Sequence, residues 1–204
     1  MDPDDEAIQR IYEAIVGGEL GDADLSARKI ANFLGKTTGA IYHRWGSFDG
    51  LLFAVSQRGF AELRRAVVSA WARTRDMADC AEAFVAFGLD HPGLYPLMFD
   101  RRFDWKALRT AGFFKRATPG SELLVSIVRL LGEVGSKTPL ADTRLLMAGL
   151  HGIVSFAASG RMNTGELGSP DRDVAMKSAR DLATRLCPTA PTTTTTPSRK
   201  RARR

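Results

Sequence analysis

The 204-residue chain has little cysteine, only three histidines and no long hydrophobic run. Its two cysteines, Cys80 and Cys187, lie far apart, which points away from a disulfide framework. They read as ordinary, partly buried thiols in a reducing cytoplasm. No stretch approaches the roughly 18 uninterrupted apolar residues of a membrane span, so no membrane partner is expected. The opening MDPDDEAIQR is acidic and lacks an apolar core segment, which points away from a secretory signal. The expected location is therefore cytoplasmic. His43, His91 and His151 are scattered without paired ligand spacing, so neither a metal nor a cofactor is expected. Ser/His/Asp and Cys/His pairings, a G-x-S-x-G elbow and clustered carboxylates are all lacking, and the chain does not read as an enzyme. Strand-like alternation bounded by hairpin turns is also missing, as is any internal repeat.

What remains is helical. An apolar fraction of 44% is enough to build a core. The net charge of +6 is misleading, because five basic groups sit in the last six residues, RKRARR. Without them the chain is near neutrality. Residues 188–204, PTAPTTTTTPSRKRARR, have almost no apolar content and are expected to be a disordered basic tail. Such an arm can add salt-dependent, sequence-independent affinity for DNA, although a tail with no specific role explains the composition equally well. Elsewhere the distribution is uneven. Residues 1–24 carry eight acids and one Arg, whereas residues 28–65 carry seven Lys/Arg against Asp49 and Glu62. A basic segment beside an acidic leader fits one face against a polyanion, although a solvated helix surface explains the charge equally well.

Ile8, Ile11, Tyr12 and Ile15 form the stripe of a first helix, ended by Gly17-Gly18. Ser26 is a good N-cap for a second, with Leu25 and Ile30 placed as a hydrophobic staple, and Gly35 breaks it. Thr37 can cap a short third helix running to about Trp45. Ser47 can cap a fourth, whose apolar face is Leu51, Leu52, Val55, Phe60, Leu63 and Val67. Beyond Asp76 further helices are expected over Cys80–Gly88, Leu94–Phe99, Trp105–Arg116, Ser121–Val134, Pro139 to about Gly160, and from Pro170 or Asp171 to just before Pro188.

Within this pattern Gly35-Lys36-Thr37 ends like a phosphate-binding loop. That motif needs a glycine five residues earlier and a preceding strand, but the position holds Ile30 and the segment is a capped helix. Two short helices joined by a tight glycine turn instead make a helix-turn-helix. In its second helix Thr37, Thr38, Gly39 and Ala40 keep the leading end slim enough for a major groove. Ile41 and Trp45 anchor its back, while Tyr42, His43 and Arg44 offer a hydroxyl, an imidazole and a guanidinium.

The run LSARKIANFLGKTTGAIYHRWGSFDGLL resembles the DNA-binding domain of the tetracycline-repressor (TetR/AcrR) family of bacterial transcription regulators, over residues 8–55. It has the Ile-Ala pair, the turn glycine, a hydroxyl opening the recognition helix, Tyr five residues later, an aromatic three further on, and Leu-Leu in the fourth helix. HPGLYPLMF and LHGIVSFAASG are similar to segments of the family's ligand-binding domain. The resemblance implies an all-α chain. A three-helix helix-turn-helix domain occupies residues 1–46, a fourth helix at 47–73 connects, and a ligand-binding and dimerisation domain spans 74–187. It also implies a homodimer on double-stranded DNA with an inverted-repeat operator, and a repressor released by a small hydrophobic effector. Ser26 and Arg28 would meet the DNA backbone. Thr37, Thr38 and Gly39 would lie at the groove entrance, Tyr42 would reach a phosphate, and His43 and Arg44 would contact bases or phosphates.

Two positions depart from the family pattern. Lys36 replaces a small apolar turn residue, and Phe48 replaces a phosphate-contacting Lys at the start of the fourth helix. They leave open an alternative, a helical protein–protein adaptor that no longer reads DNA.

For the effector pocket the candidates are Phe84, Phe87, Met98, Phe103, Trp105, Phe113, Phe114, Met147, Leu150 and His151, with Leu97 and Phe99 beside them. Mostly apolar walls with one or two polar groups suit a hydrophobic ligand, although aromatic and Met residues at this spacing are core more often than pocket. A backbone carbonyl is the favoured partner for His151. Small residues in AGLHGIVSFAASG suit close helix approach in a dimer built from the last two helices, so Gly149→Arg is expected to disturb dimerisation.

Overall fold

The computed structural model describes residues 3–162 and 171–187; the basic tail lies outside the described residues. These residues form ten α-helices and one 3-10 turn, with no strand among them. The chain is all-α, as its periodicity predicts.

Helices α1 (Pro3–Val16) and α3 (Thr38–Trp45) pack on α4 (Phe48–Thr74), and α2 (Ala27–Leu34) packs on α1 and α3. Ile11 and Ile15 of α1, Ile30, Ala31 and Leu34 of α2, and Ile41 and Trp45 of α3 are all buried in the core. A fully buried Ile or Leu contributes about 1.5–3 kcal/mol, and α4 adds its own packing against α1 and α3. Helix α4 runs 27 residues and enters the second half of the molecule. There it meets α5 (Met77–Asp90), α6 (Leu94–Phe99) and α8 (Pro119–Glu133), with α9 (Pro139–Ala158) and α10 (Asp171–Leu186) completing the bundle. α4 and α6 come close because Gly59 has no side chain: a methyl there would overlap Met98 Sδ and lie 3.1 Å from Leu94 Cδ2.

Helix α10 lays Ala175, Ala179 and Ala183, each fully buried, along one face. Arg180 on the same helix binds Asp79 and Glu82 of α5, the latter at 2.9 Å, with Asp76 3.6 Å away. The hydrogen bond from Arg180 holds the Asp79 carboxyl below the usual carboxylate range. In the same layer Cys80 is buried, its thiol facing the carbonyl of Val67 at 3.6 Å. Burial, with Asp76 and Asp79 beside it, pushes this thiol up to about 12, and burial pushes Cys187 up to about 11. Thiolate, not thiol, is the nucleophile. Iodoacetamide at pH 8 is therefore expected to label both cysteines at least tenfold more slowly in the native protein than in urea. Equal rates would contradict the buried placement. The unfolded thiols ionise near pH 8.5 and the folded ones do not. Their contribution to stability is thus complete below that pH and declines as pH rises towards the folded values.

The sequence reading places one helix over Trp105–Arg116. The observed α7 covers only Trp105–Thr110. Gly112 adopts φ +86° and its N–H binds Arg109 O, while Phe113 N–H reaches back to Leu108 O. This left-handed glycine closure ends the helix and turns Phe113 back onto the start of α4.

Candidate nucleic-acid interface

The turn between α2 and α3 is built from two caps and one glycine. Ser26 accepts the N–H of Lys29 at 3.4 Å, and Lys29 Nζ binds Asp24 at 2.8 Å, tying the 3-10 turn (Asp22–Asp24) to the helix start. At the other end Gly35 is left-handed, with φ 64°. Its N–H binds Asn32 O, and the N–H of Lys36 binds Ala31 O at 2.8 Å. That pair of bonds is a Schellman closure. It uses Lys36 only through its backbone, so the side chain is exposed and its type matters little to the turn.

Helix α3 is capped by Thr37, whose Oγ1 accepts the N–H of Ala40 at 3.2 Å, a contact worth about 1 kcal/mol. Ile41 and Trp45, four apart, are buried. The opposite face therefore carries Thr38, Gly39, Tyr42, His43 and Arg44, all exposed, with Tyr42 at 51%. The Arg44 guanidinium lies 5.9 Å from the Trp45 ring. Ser26 and Arg28 at the start of α2 are exposed as well. The eight residues singled out in the sequence thus occupy two adjoining helix starts and the outer face of α3. The result is a slim, polar, acid-free helix face, of a size that enters a major groove.

The start of α4 is less open. Ser47 accepts the N–H of Gly50 at 2.9 Å. Phe48 is half-buried, with the Arg101 guanidinium 5.9 Å from its ring and 5.7 Å from that of Phe103. Arg101 also binds Asp49 at 2.9 Å, and the N–H of Asp104 lies 3.4 Å from the second Asp49 oxygen. Phe48 is therefore a packing residue under Arg101.

The aromatic candidates for an effector pocket fall into two groups. Phe103, Trp105, Phe113 and Phe114 surround Phe53 of α4 with centroid distances of 5.4–6.1 Å. This cluster joins the loop before α7, and the turn after it, to the base of α4. Phe84, Phe99, Tyr95 and His151 form the second group, with Phe84–Phe99 5.8 Å apart and Tyr95–Phe99 stacked at 4.6 Å. Phe84 and Leu150, with Val67, Cys80, Ile127 and Leu146, line a crevice of only about 10 Å³ between α4, α5, α8 and α9. That is barely one water's worth of space. Phe87 stacks on His91 at 4.3 Å, Met98 packs on Gly59, Leu97 is buried, and Met147 is half-buried at the edge of the core.

His151 does not bind a backbone carbonyl. Its Nδ1 lies 3.2 Å from Tyr95 Oη and its Nε2 3.4 Å from Asp100 Oδ1. It is His91 that bonds such a group, Phe87 O at 2.8 Å. Tyr95, Asp100, Asp49, Arg101 and Phe53 carried no sequence signal, because each acts on a partner some fifty residues away.

Residues 77–182, about half of the chain, match the family model of the tetracyclin repressor-like C-terminal domain. The chain belongs to the tetracycline-repressor family. Two solved structures share the fold of this TetR-family regulator. A protein of unknown function from Rhodococcus sp. RHA1 aligns with 21% identity and a TM-score of 0.63, over 89% of this chain and 95% of that one. SCO4313, described as a candidate regulatory protein, aligns with 19% identity and a TM-score of 0.60, over 88% and 94%. No curated protein matches the sequence.

The outer surface of the TetR-family bundle also bears on partners. Large apolar side chains stand exposed on α8 (Val125, 66%) and on α9 (Leu140, Leu145 and Phe156, 44–60%). The exposed positions of α10 are charged or polar: Arg172, Asp173, Lys177, Asp181, Thr184 and Arg185. Gly149 faces inward, where a methyl would lie 2.5 Å from Leu182 Cδ2 of α10. Gly152, three residues on, has nothing within 4 Å.

Proposed function

We propose that the protein is a homodimeric, sequence-specific DNA-binding regulator, a repressor released from an inverted-repeat operator by a small hydrophobic ligand. The observation that carries this reading is the outer face of α3. Five neighbouring positions there are polar or slim, acid-free and exposed, on a helix whose back is anchored by Ile41 and Trp45. Arg44 and His43 reach base edges or phosphates, Tyr42 and Arg28 reach phosphates, and the capped N-termini of α2 and α3 favour anions. Of the two departures from the family pattern, Lys36 leaves the turn intact, since it closes it through its backbone, whereas Phe48, packed beneath Arg101, brings no cation to a phosphate.

Two subunits meet through the outward stripe of α9, where Ala141, Leu145, Ala148, Gly152 and Phe156 follow helical spacing. The effector binds in the apolar layer between α4, α5, α8 and α9. Because that layer is nearly closed, a ligand must displace side chains to enter, and α4 is the wall that also carries the DNA-binding half. A coupling of about 1–3 kcal/mol, or roughly 5–150-fold in affinity, suffices for release.

Replacing Arg44 with Ala is expected to weaken operator binding by about 10–100-fold, the usual worth of one well-placed base contact. Tyr42→Phe, which removes an uncharged hydrogen bond to phosphate, should weaken binding several-fold alike for all sequences and leave the salt slope unchanged. Sedimentation of both variants should be unchanged. Undiminished affinity in Arg44→Ala would contradict the proposed role of α3.

A further inference from the structure

Five cations, Arg102, Lys106, Arg109, Lys115 and Arg116, stand exposed on the segment that holds α7. None of them makes an ion pair with a carboxylate among the described residues. The nearby acids are engaged elsewhere: Asp49 holds Arg101, Asp104 caps α7 by accepting the N–H of Ala107 at 2.9 Å, and Asp100 faces His151. Residues 102–116 therefore carry these five cations against the single carboxylate of Asp104.

Its position is fixed by several links to the DNA-binding half. Arg101 binds Asp49, the second residue of α4. A methyl on Gly46, the residue that ends α3, would touch Ala111 Cβ at 3.7 Å. A methyl on Gly50 would meet Phe113 at 3.0 Å, and Phe113 and Phe114 pack on Phe53. The segment thus sits against the junction of α3 and α4, beside Gly46 at the end of the helix that carries His43 and Arg44.

We propose that residues 102–116 form a second DNA-backbone contact surface, meeting phosphates that flank the half-site read by α3. The proposal rests on the DNA-binding reading above and adds a surface from the C-terminal half to it. Cations spread along fifteen residues of chain suit a polyanion, whereas a small anion is held by groups that converge. The exposed Trp105 (53%) and Phe114 (40%) give the segment flat apolar faces beside the charges, and the Phe53 cluster makes it rigid enough to contribute without a large ordering cost.

The test is a salt series of binding to an enriched operator duplex, comparing the unaltered protein with the fourfold variant K106Q/R109Q/K115Q/R116Q. All four side chains are exposed, and an unchanged circular dichroism spectrum and melting temperature confirm the fold. Each lost phosphate contact reduces the slope of log K against log salt by about 0.9. The variant should lose about two to four in slope and at least tenfold in affinity at physiological salt, equally for operator variants with altered bases, because phosphate contacts carry no sequence information. An unchanged slope overturns the proposal while leaving the role of α3 intact. So does binding of the unaltered protein to anionic phosphatidylserine vesicles that the variant loses while its DNA slope stays the same. If the unaltered protein enriches no duplex, the DNA-binding reading falls and this surface with it.

Discussion

Phe53→Ala is expected to lower stability by about 3–5 kcal/mol, the range for deleting a fully packed phenyl ring. The ring is 4% exposed and touches four aromatic partners, three from the segment around α7 and a fourth, Phe103, just before it. Truncation leaves a cavity where this segment packs on α4, four residues along the helix from the Arg101–Asp49 contact at 2.9 Å. Urea denaturation followed by circular dichroism should show a lower midpoint with an unchanged slope. Phe53→Leu, which refills much of the volume, should cost under half as much. A loss below about 1 kcal/mol for the alanine variant would contradict the cluster as described.

The second large effect separates two neighbouring glycines. Gly149→Arg drives a side chain into Leu182, whose Cδ2 would lie 2.5 Å from the first added carbon. Overpacking costs about 1–3 kcal/mol, and forcing a guanidinium between α9 and α10 adds its desolvation. The expected result is a destabilised subunit. Gly152→Arg meets nothing within 4 Å in its own subunit. It should leave the monomer's packing untouched and place a charge in the middle of the proposed α9 stripe. Sedimentation velocity of Gly152→Arg is expected to show monomers that unfold cooperatively. A stable dimer would contradict the stripe as interface. An undisturbed, fully stable Gly149→Arg would contradict the inward placement of that residue.

How much of this was legible in the sequence depends on distance along the chain. The helix-turn-helix is local: Ser26, Gly35, Thr37 and Ser47 signal their caps within three residues, and each cap forms. Periodicity likewise placed the faces of α1 and α4. It failed at residues 111–116, where Gly112 takes a left-handed conformation that an apolar pattern does not reveal. The proposed effector region is the hardest to read. Composition groups every Phe and Met of the second half together, but their neighbours are set by tertiary packing. Phe103, Trp105, Phe113 and Phe114 therefore pack around Phe53, well apart from Phe84 and His151. His151 found its partners, Tyr95 and Asp100, some fifty residues away, beyond the reach of any local rule. The space beside the Cα, rather than small-residue content, distinguishes Gly152 from Gly149.

The central claim is that the folded domain reads DNA sequence through α3. It is tested most directly by selecting bound duplexes from a random pool with the purified protein at near-physiological salt. The account predicts enrichment of an inverted repeat with half-sites about one helical turn apart, centre to centre, as a dimer carrying two recognition helices requires. No enrichment, with only salt-sensitive binding that disappears when the chain is cut at Pro188, would contradict it.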